Sequence, residues 1–513
     1  MNRGASSRGD DPPVEKKQDS LFPRPFEGRY DMSVAVAIIA LAPFIVVSTA
    51  YAIFSRAVQA DLHGGRFGTQ LIAGFSIAGY AFGALLGGYL VQRFRQRRLF
   101  LICQALFVFG CAASAAAQDM LAYGFGRILS GFGTGLLLVI ALPPVIQRFP
   151  SAKLRITVVW VNIGFFGAVC AGPLLGGVVA GGHHWRWFYA GLGAIGLLNL
   201  IAALLTLPVY DPPDPDFRFD GWGIGLGLAS VVLPFWAAGE LAAHGFASPA
   251  FILPLAAGMA CFVALLLVEY HQEEPLSPVK PMWTTISLIG TLVAMVAGSV
   301  FVAFLELAER LQMNVAHRPP LATGILFSPL IGGVCITAVL LGLLLRTRFL
   351  PFLVLGGMAC LVGGGALIMT LGPHGAPGRT LAAAALLGLG AGATVSPGLY
   401  LAGFPLSSTI IGRVFALVEL VRSLADYIIA PVIAKIAELG SGKPPLDWPG
   451  VHEAAGITLW ITLGFTAIGI VLWMAGGAGL PAADIAAWID GDKPALHSPR
   501  LFARLRGDVD EGG

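Results

Sequence analysis

The sequence predicts an all-α polytopic membrane protein of two six-helix bundles and a two-helix insert, about fourteen spans in all, on three observations. First, 56% of its 513 residues are hydrophobic and 12% are charged, with a mean hydropathy of +0.78. A soluble domain carries about 25% charged residues. Second, apolar runs of about 20 residues, the length a bilayer demands, recur along the chain. Third, glycine and proline sit inside those runs, where against alanine they weaken a helix in water by about 1 and 3 kcal/mol. In lipid an apolar segment has no better partner for its backbone than itself.

In order, residues 1–32 mix Arg, Lys, Asp, Glu and Pro with few apolar residues and are expected to form a disordered cytoplasmic tail. No cleavable signal is read, because the first apolar run follows that tail and is long enough to span. The runs fall near 33–55, 69–91, 98–118, 120–143, 154–180 and 186–208, which make the N-terminal bundle 33–208. Two more, near 220–239 and 249–270, lie in an insert, 209–282, that opens with DPPDPDFRFDG and closes with HQEEPLSPVKP. The rest, near 284–308, 323–345, 349–371, 380–402, 410–436 and 455–477, make the C-terminal bundle 283–477. Cations set the orientation: Arg93, Arg95, Arg97, Arg98, Arg148, Lys153, Arg155, Arg346 and Arg348 gather in alternate loops, which are therefore cytoplasmic, as are both termini. In the last segment, 478–513, Arg500, Arg504 and Arg506 alternate with Leu501, Phe502 and Leu505. That pattern fits a short basic helix on the membrane surface or a disordered polar tail.

Small residues four apart form ridges that let helix backbones approach. The fifth run has Gly164, Ala168, Gly172 and Gly176, interrupted by Pro173, and reads as a bent, tightly packed helix. Gly79, Gly83 and Gly87, Gly131 and Gly135, and Gly388 and Gly392 repeat the device.

These residues also carry a family resemblance. AGPLLGG in the fifth run, with Gly172, Pro173, Gly176 and Gly177, resembles the antiporter motif of the major facilitator superfamily, within it the fourteen-helix drug:proton antiporters; it lies in the stretch that begins at Gly164. Arg127 and Gly131 in GRILSGFG are similar to that family's fourth-helix motif, and GGYLVQRFRQRR, with Gly88, Gln92, Arg93 and Arg97, resembles its cytoplasmic loop motif. WRWFYAGLGAIG from Trp185, FDGWG from Phe219 and LVRSLAD around Arg422 look like fourteen-helix members at the corresponding points. The resemblance implies secondary active efflux in which two bundles rock about a central cavity, with a proton as coupling ion and no other cofactor. Two departures stand out. Gln92 and Arg95 replace the loop motif's acid and second glycine, and in the first helix Val47 and Arg56 replace the family's embedded acid and proline.

Charges inside spans are few and costly, about 2.5–3.5 kcal/mol each at a helix centre unless they face protein or water. Glu419, Arg422 and Asp426 are spaced three and four apart and share one face of the thirteenth run. Two acids must share one cation, so one is left to protonate or to find Arg127 in the fourth run. Glu419 and Asp426 are therefore the candidate proton carriers, with Glu306 a third; Arg422 and Arg127 are candidates for tuning them or binding an anionic group. The alternative for the thirteenth run is a static salt-bridge ladder. For Glu306, Glu309 and Arg310, near the outer end of the ninth run, it is a solvated rim pair.

Other classes are excluded. Nothing resembles a nucleic-acid footprint: the net charge is +3 and spread over short loops. The six cysteines fall inside apolar runs as small core side chains. His183 and His184 lack a third ligand, so no metal is expected. GSGKPP from Gly440 has proline where a phosphate-binding loop needs a helix and a hydroxyl, which argues against ATP-driven transport. No nucleophile motif suggests an enzyme. The expected partners are a small amphiphilic substrate, drug or metabolite, and the bilayer of the cell's inner membrane. The chain is expected to be monomeric, with a periplasmic adaptor left open. An importer or facilitator on the same fold is the alternative function. The lost acid at Val47 weakens the case for a lipophilic cation and leaves anionic or neutral amphiphiles.

Overall fold

The computed structural model describes residues 25–182, 184–214, 217, 220–272, 275–441, 446–477, 479, 482–491 and 493–502, with Arg66 described by its backbone alone. The expectations for residues 1–24, His183, Phe219 and Arg504 to Arg506, and for GSGKPP beyond Ser441, lie outside these residues.

Among the described residues fourteen long helices follow one another: α1 (Tyr30–Asp61), α2 (Arg66–Arg93), α3 (Gln96–Ala116), α4 (Met120–Gln147), α5 (Leu154–Gly182), α6 (Trp185–Thr206), α7 (Gly221–His244), α8 (Pro249–His271), α9 (Thr285–Arg310), α10 (Pro320–Leu344), α11 (Leu350–Ile368), α12 (Pro377–Gly403), α13 (Ile411–Leu439) and α14 (Trp448–Gly476). Thirteen are long and apolar enough to cross a membrane. The other, α13, is apolar enough but carries too many charges, Arg413, Glu419, Arg422, Asp426, Lys435 and Glu438, to count with them. Among the described residues the only β pairing is an isolated bridge between Thr284 and Arg500. α10 breaks at Phe327 and Ser328, just before Pro329, where the proline ring removes a donor and crowds the preceding turn. α5 runs through Pro173 without interruption.

Small residues decide which helices meet. α2 lies along α4, glycine ridge against backbone: a methyl group added at Gly83 would sit 2.4 Å from the Phe132 carbonyl oxygen, and one at Gly135 would sit 1.9 Å from that of Tyr80. No side chain fits at that distance. α5 uses two faces. Gly164, Gly172 and Gly176 pack on Ile38, Thr49 and Ala50 of α1, whereas Gly177 meets the Pro320 carbonyl of α10 and Gly324 returns the contact at Pro173. α3 completes the first group against α4 and α6, while α9 packs on α12 and α13, and α12 on α10 and α11. The two groups therefore touch along α5 with α10 and along α2 with α13.

The insert covers the second seam. α7 packs on α2, where Gly227 faces Leu85, and on α13, where Phe235 stacks on Tyr427 with ring centroids 4.2 Å apart. α8 packs on α7 and leaves most of its surface outward.

At the face that carries Tyr30 and the α2–α3 and α4–α5 turns, residues 482–491 and 493–502 fold back under the helices. A short helix, α15 (Ile485–Asp490), buries Trp488, whose Nε1 donates to the Leu406 carbonyl at 2.8 Å and whose ring meets Phe404 edge-on. Arg500 is not helical: Pro499 precedes it, and the Pro499 carbonyl accepts from the Thr285 amide, which holds the strand-like bridge to Thr284. All six cysteines are free.

Candidate functional site

The face of α13 that carries Glu419, Arg422 and Asp426 turns inward, and the three side chains form one unit. Arg422 Nε donates to Glu419 Oε2 at 3.1 Å, Nη2 donates to Glu419 Oε1, and Nη1 donates to Asp426 Oδ2 at 2.5 Å. Ser299 Oγ, from α9, donates to Asp426 Oδ1 at 2.8 Å. Their side chains are 4%, 17% and 14% exposed for Glu419, Arg422 and Asp426, so the group is shielded from bulk solvent and its most enclosed acid is Glu419. Glycine at 298 makes room: a Cβ there would lie 3.2 Å from the Arg422 side chain and 3.3 Å from Asp426 Oδ1. One guanidinium thus serves two carboxylates in a dry setting, where an unshared charge is expensive. Such a unit can take up one proton and still keep Arg422 paired.

Arg422 and Asp426 lie on the wall of a cavity of about 980 Å³ built from both helix groups. Its apolar lining comes from Phe44 and Tyr51 of α1, Phe165 and Phe166 of α5, Phe301 of α9 and Val395 of α12. From this centre it extends to His63 and Gly64 in the exposed α1–α2 turn, so its mouth is at the face opposite the chain termini. Arg56 Nη2 donates to Asn314 Oδ1 at 2.6 Å across that mouth. The face of the termini is shut. There Gln147 donates to the Ser408 carbonyl, Arg346 donates to the Ser151 carbonyl, and Gly412 packs on Pro143. An apolar chamber of this size with a few fixed polar groups suits a drug-sized molecule.

Nearer the mouth, Glu306 accepts from Arg310 at 2.5 Å, and Arg310 and Lys435 each lie 3.7 Å from Glu438. Glu306 and Arg310 are about a quarter exposed, as a rim pair would be. Glu309 is different: it is 2% exposed, it lines the cavity, and its Oε1 has no hydrogen-bond partner.

Arg127 does not join the α13 acids. It is buried inside the first helix group among the rings of Tyr51, Phe44 and Tyr189, with its guanidinium carbon 5.2, 5.8 and 6.0 Å from their centroids. Nη2 donates to Ser76 Oγ at 3.1 Å, and Nε and Nη1 have no partner. Cation–π attraction offsets part of the cost of burying that charge. Val47 is buried in α1 and does not reach the cavity wall.

The loop-motif residues lie at the closed face. Gly88 packs against Ala416 and Arg413 of α13; Arg93 donates to the Tyr89 hydroxyl at 3.2 Å and Arg97 to the Leu204 carbonyl at 2.7 Å. The backbone of Gln92 accepts from Asp214 of the insert's linker at 3.0 Å, and Arg95 pairs with Asp211. Arg413 donates to the Pro275 carbonyl on the insert's far side. The insert thus ties the ends of α2 and α13 together where the family's acid is missing.

Sequence reasoning missed the Ser299 contact and the depth of Glu309. Nothing in the sequence marks Ser299. For Glu309 there was a signal: Gly298, Phe301, Val302, Leu305, Glu306 and Glu309 recur at helical spacing, so they line one face of α9.

Comparison with known proteins agrees with this architecture. The sequence profile of the Major Facilitator Superfamily matches residues 33–430. The tetracenomycin C resistance and export protein of Streptomyces glaucescens is 28% identical over 64% of this chain and 60% of its own length. The puromycin resistance protein of Streptomyces alboniger is 30% identical over 63% and 65%. The multidrug export protein EmrB of Escherichia coli K12 is 24% identical over 52% and 54%. The match thus spans only a little over half of these relatives. With the profile covering most of the chain, and with helices that pack in two groups about a shared cavity, the chain belongs to the Major Facilitator Superfamily and is a multi-pass membrane protein.

Proposed function

We propose that this transporter exports small amphiphilic molecules in exchange for protons by alternating access, with both termini in the cytoplasm of a cell whose inner membrane it spans. The observation that carries this reading is the Glu419–Arg422–Asp426 unit on the wall of a chamber shared by both helix groups. By the distribution of cations the mouth then faces outward, the side from which a proton would enter. Asp426, on the chamber wall, takes up that proton from the chamber and lets go of Arg422, while Glu419 keeps the guanidinium paired. The loss of the Arg422–Asp426 ion pair within α13 changes the charge on the chamber wall and so biases the two groups toward opening at the other face. Each proton crossing about 100 mV supplies about 2.3 kcal/mol, enough for roughly a fiftyfold gradient of a neutral solute. The proton is the sole coupling ion in this scheme, and a single chain supplies the whole chamber. Arg127, behind Tyr51 and Phe44, acts through those rings and not by touching the substrate.

The relatives' names suggest puromycin and tetracenomycin C as first probes. In inverted membrane vesicles containing the protein, an imposed pH gradient should drive uptake of one or both, and a protonophore should collapse it. Uptake that the protonophore leaves unchanged would refute coupling, and accumulation only in right-side-out vesicles would make the protein an importer.

A further inference from the structure

Resting on the exporter reading, we propose that Glu309 is a second proton-carrying carboxyl of the chamber, so that each cycle moves two protons. On α9 the wall residues Gly298, Phe301, Leu305 and Glu309 descend one face, which sets the Glu309 side chain about two turns beyond Val302, between the central acids and the mouth. There it is 2% exposed, and Oε1 finds no donor.

The charges around it are already committed. Arg310 is held by Glu306 at 2.5 Å and faces Glu438 at 3.7 Å; Lys435 also faces Glu438 and donates to the Ala242 carbonyl at 3.3 Å. Across the mouth, Arg56 of α1 is engaged by Asn314 at 2.6 Å, and His63 lies in the α1–α2 turn. Glu306 and Arg310, the charged groups that act on Glu309 most directly, are paired with each other.

A carboxylate buried in such a place has an Oε1 without a donor and beside it only an arginine already committed to Glu306, whereas the carboxylic acid is neutral and supplies its own donor. Glu309 therefore holds a proton in this conformation. When the mouth closes and the opposite face opens, water reaches the α9 wall from the other side. The O–H bond then breaks, the proton leaves to the cytoplasm, and the carboxylate remains until the next outward turn.

The purified full-length protein in lipid, examined by infrared difference spectroscopy between acid and alkaline pH, provides the first test. The wild type should show the carbonyl stretch of protonated carboxyls. Glu309→Gln should remove one component, and Glu309→Asp should shift it, which reports on the site even if Gln disturbs folding. In proteoliposomes with the membrane potential clamped at zero, one pH unit should multiply the steady puromycin gradient about tenfold per exchanged proton. Glu309→Gln should therefore lower that gradient about tenfold. An infrared spectrum unchanged in both variants, or a Glu309→Gln gradient equal to that of the wild type, would overturn the proposal. Failure of the exporter reading is distinguishable: puromycin uptake indifferent to pH in the wild type would end it whatever the Glu309 band does.

Discussion

Arg422 gives Asp426 one hydrogen bond, from Nη1 to Oδ2 at 2.5 Å, while committing its other two contacts to Glu419. The asymmetry assigns the two acids different duties. Glu419 anchors the guanidinium in a fork, whereas Asp426 can leave it and still keep the Ser299 hydroxyl as a partner.

Removing the cation should be worse than removing either acid. Arg422→Ala strands two buried carboxylates, and breaking a buried pair from one side costs about 3–5 kcal/mol. Thermal unfolding in lipid nanodiscs should show a large drop for Arg422→Ala and a small one for Asp426→Asn. Equal drops would mean that the three groups do not act as one unit.

The α2–α4 contact should tolerate no side chain. Gly135→Ala places a methyl 1.9 Å from a backbone oxygen, which only a separation of the helices can relieve. Gly191→Ala has open space around it and, as an exposed helix glycine, should stabilise slightly. Size-exclusion profiles should show Gly135→Ala aggregated or absent and Gly191→Ala like the wild type; a well-behaved Gly135→Ala protein would contradict the packing described.

The returning segment at the closed face should bias the transporter toward the conformation seen here. Trp488→Ala removes a fully buried indole and its bond to Leu406, a change that costs about 3–5 kcal/mol in a packed core. Spin labels at Ala152 and Arg348, on either side of that face, should show a longer and broader distance distribution in Trp488→Ala than in the unsubstituted protein. An unchanged distribution would make the segment a bystander.

Much of this was legible before the fold was known, for physical reasons that differ by element. The spans could be read because a bilayer leaves apolar runs no other structure. α13 was read as a span from its apolar run near 410–436 despite its charges, and acids and a cation spaced three and four apart predicted the shared face that carries Arg422 and Asp426 to the chamber. Glycine spacing announced close contacts in α2 and α5 but not their partners: a ridge such as Gly172 to Gly176 says how near a helix may come, not which one. Arg127 looked available to the α13 acids because sequence carries no distance between the halves; the rings of Tyr51 and Tyr189 enclose it instead. Trp488 stayed hidden because a six-residue helix offers too little period to stand out from a polar tail.

The central claim is that Asp426 exchanges protons with the chamber while the substrate crosses. Its most direct test is puromycin transport by Asp426→Asn in proteoliposomes, measured as exchange without a gradient and as accumulation under a pH gradient. The account predicts exchange near the wild-type rate and a gradient-driven accumulation about tenfold lower per pH unit, the share that the proton on Asp426 carries. Accumulation at the wild-type level, in Asp426→Asn and again with Glu419→Gln added, would contradict it.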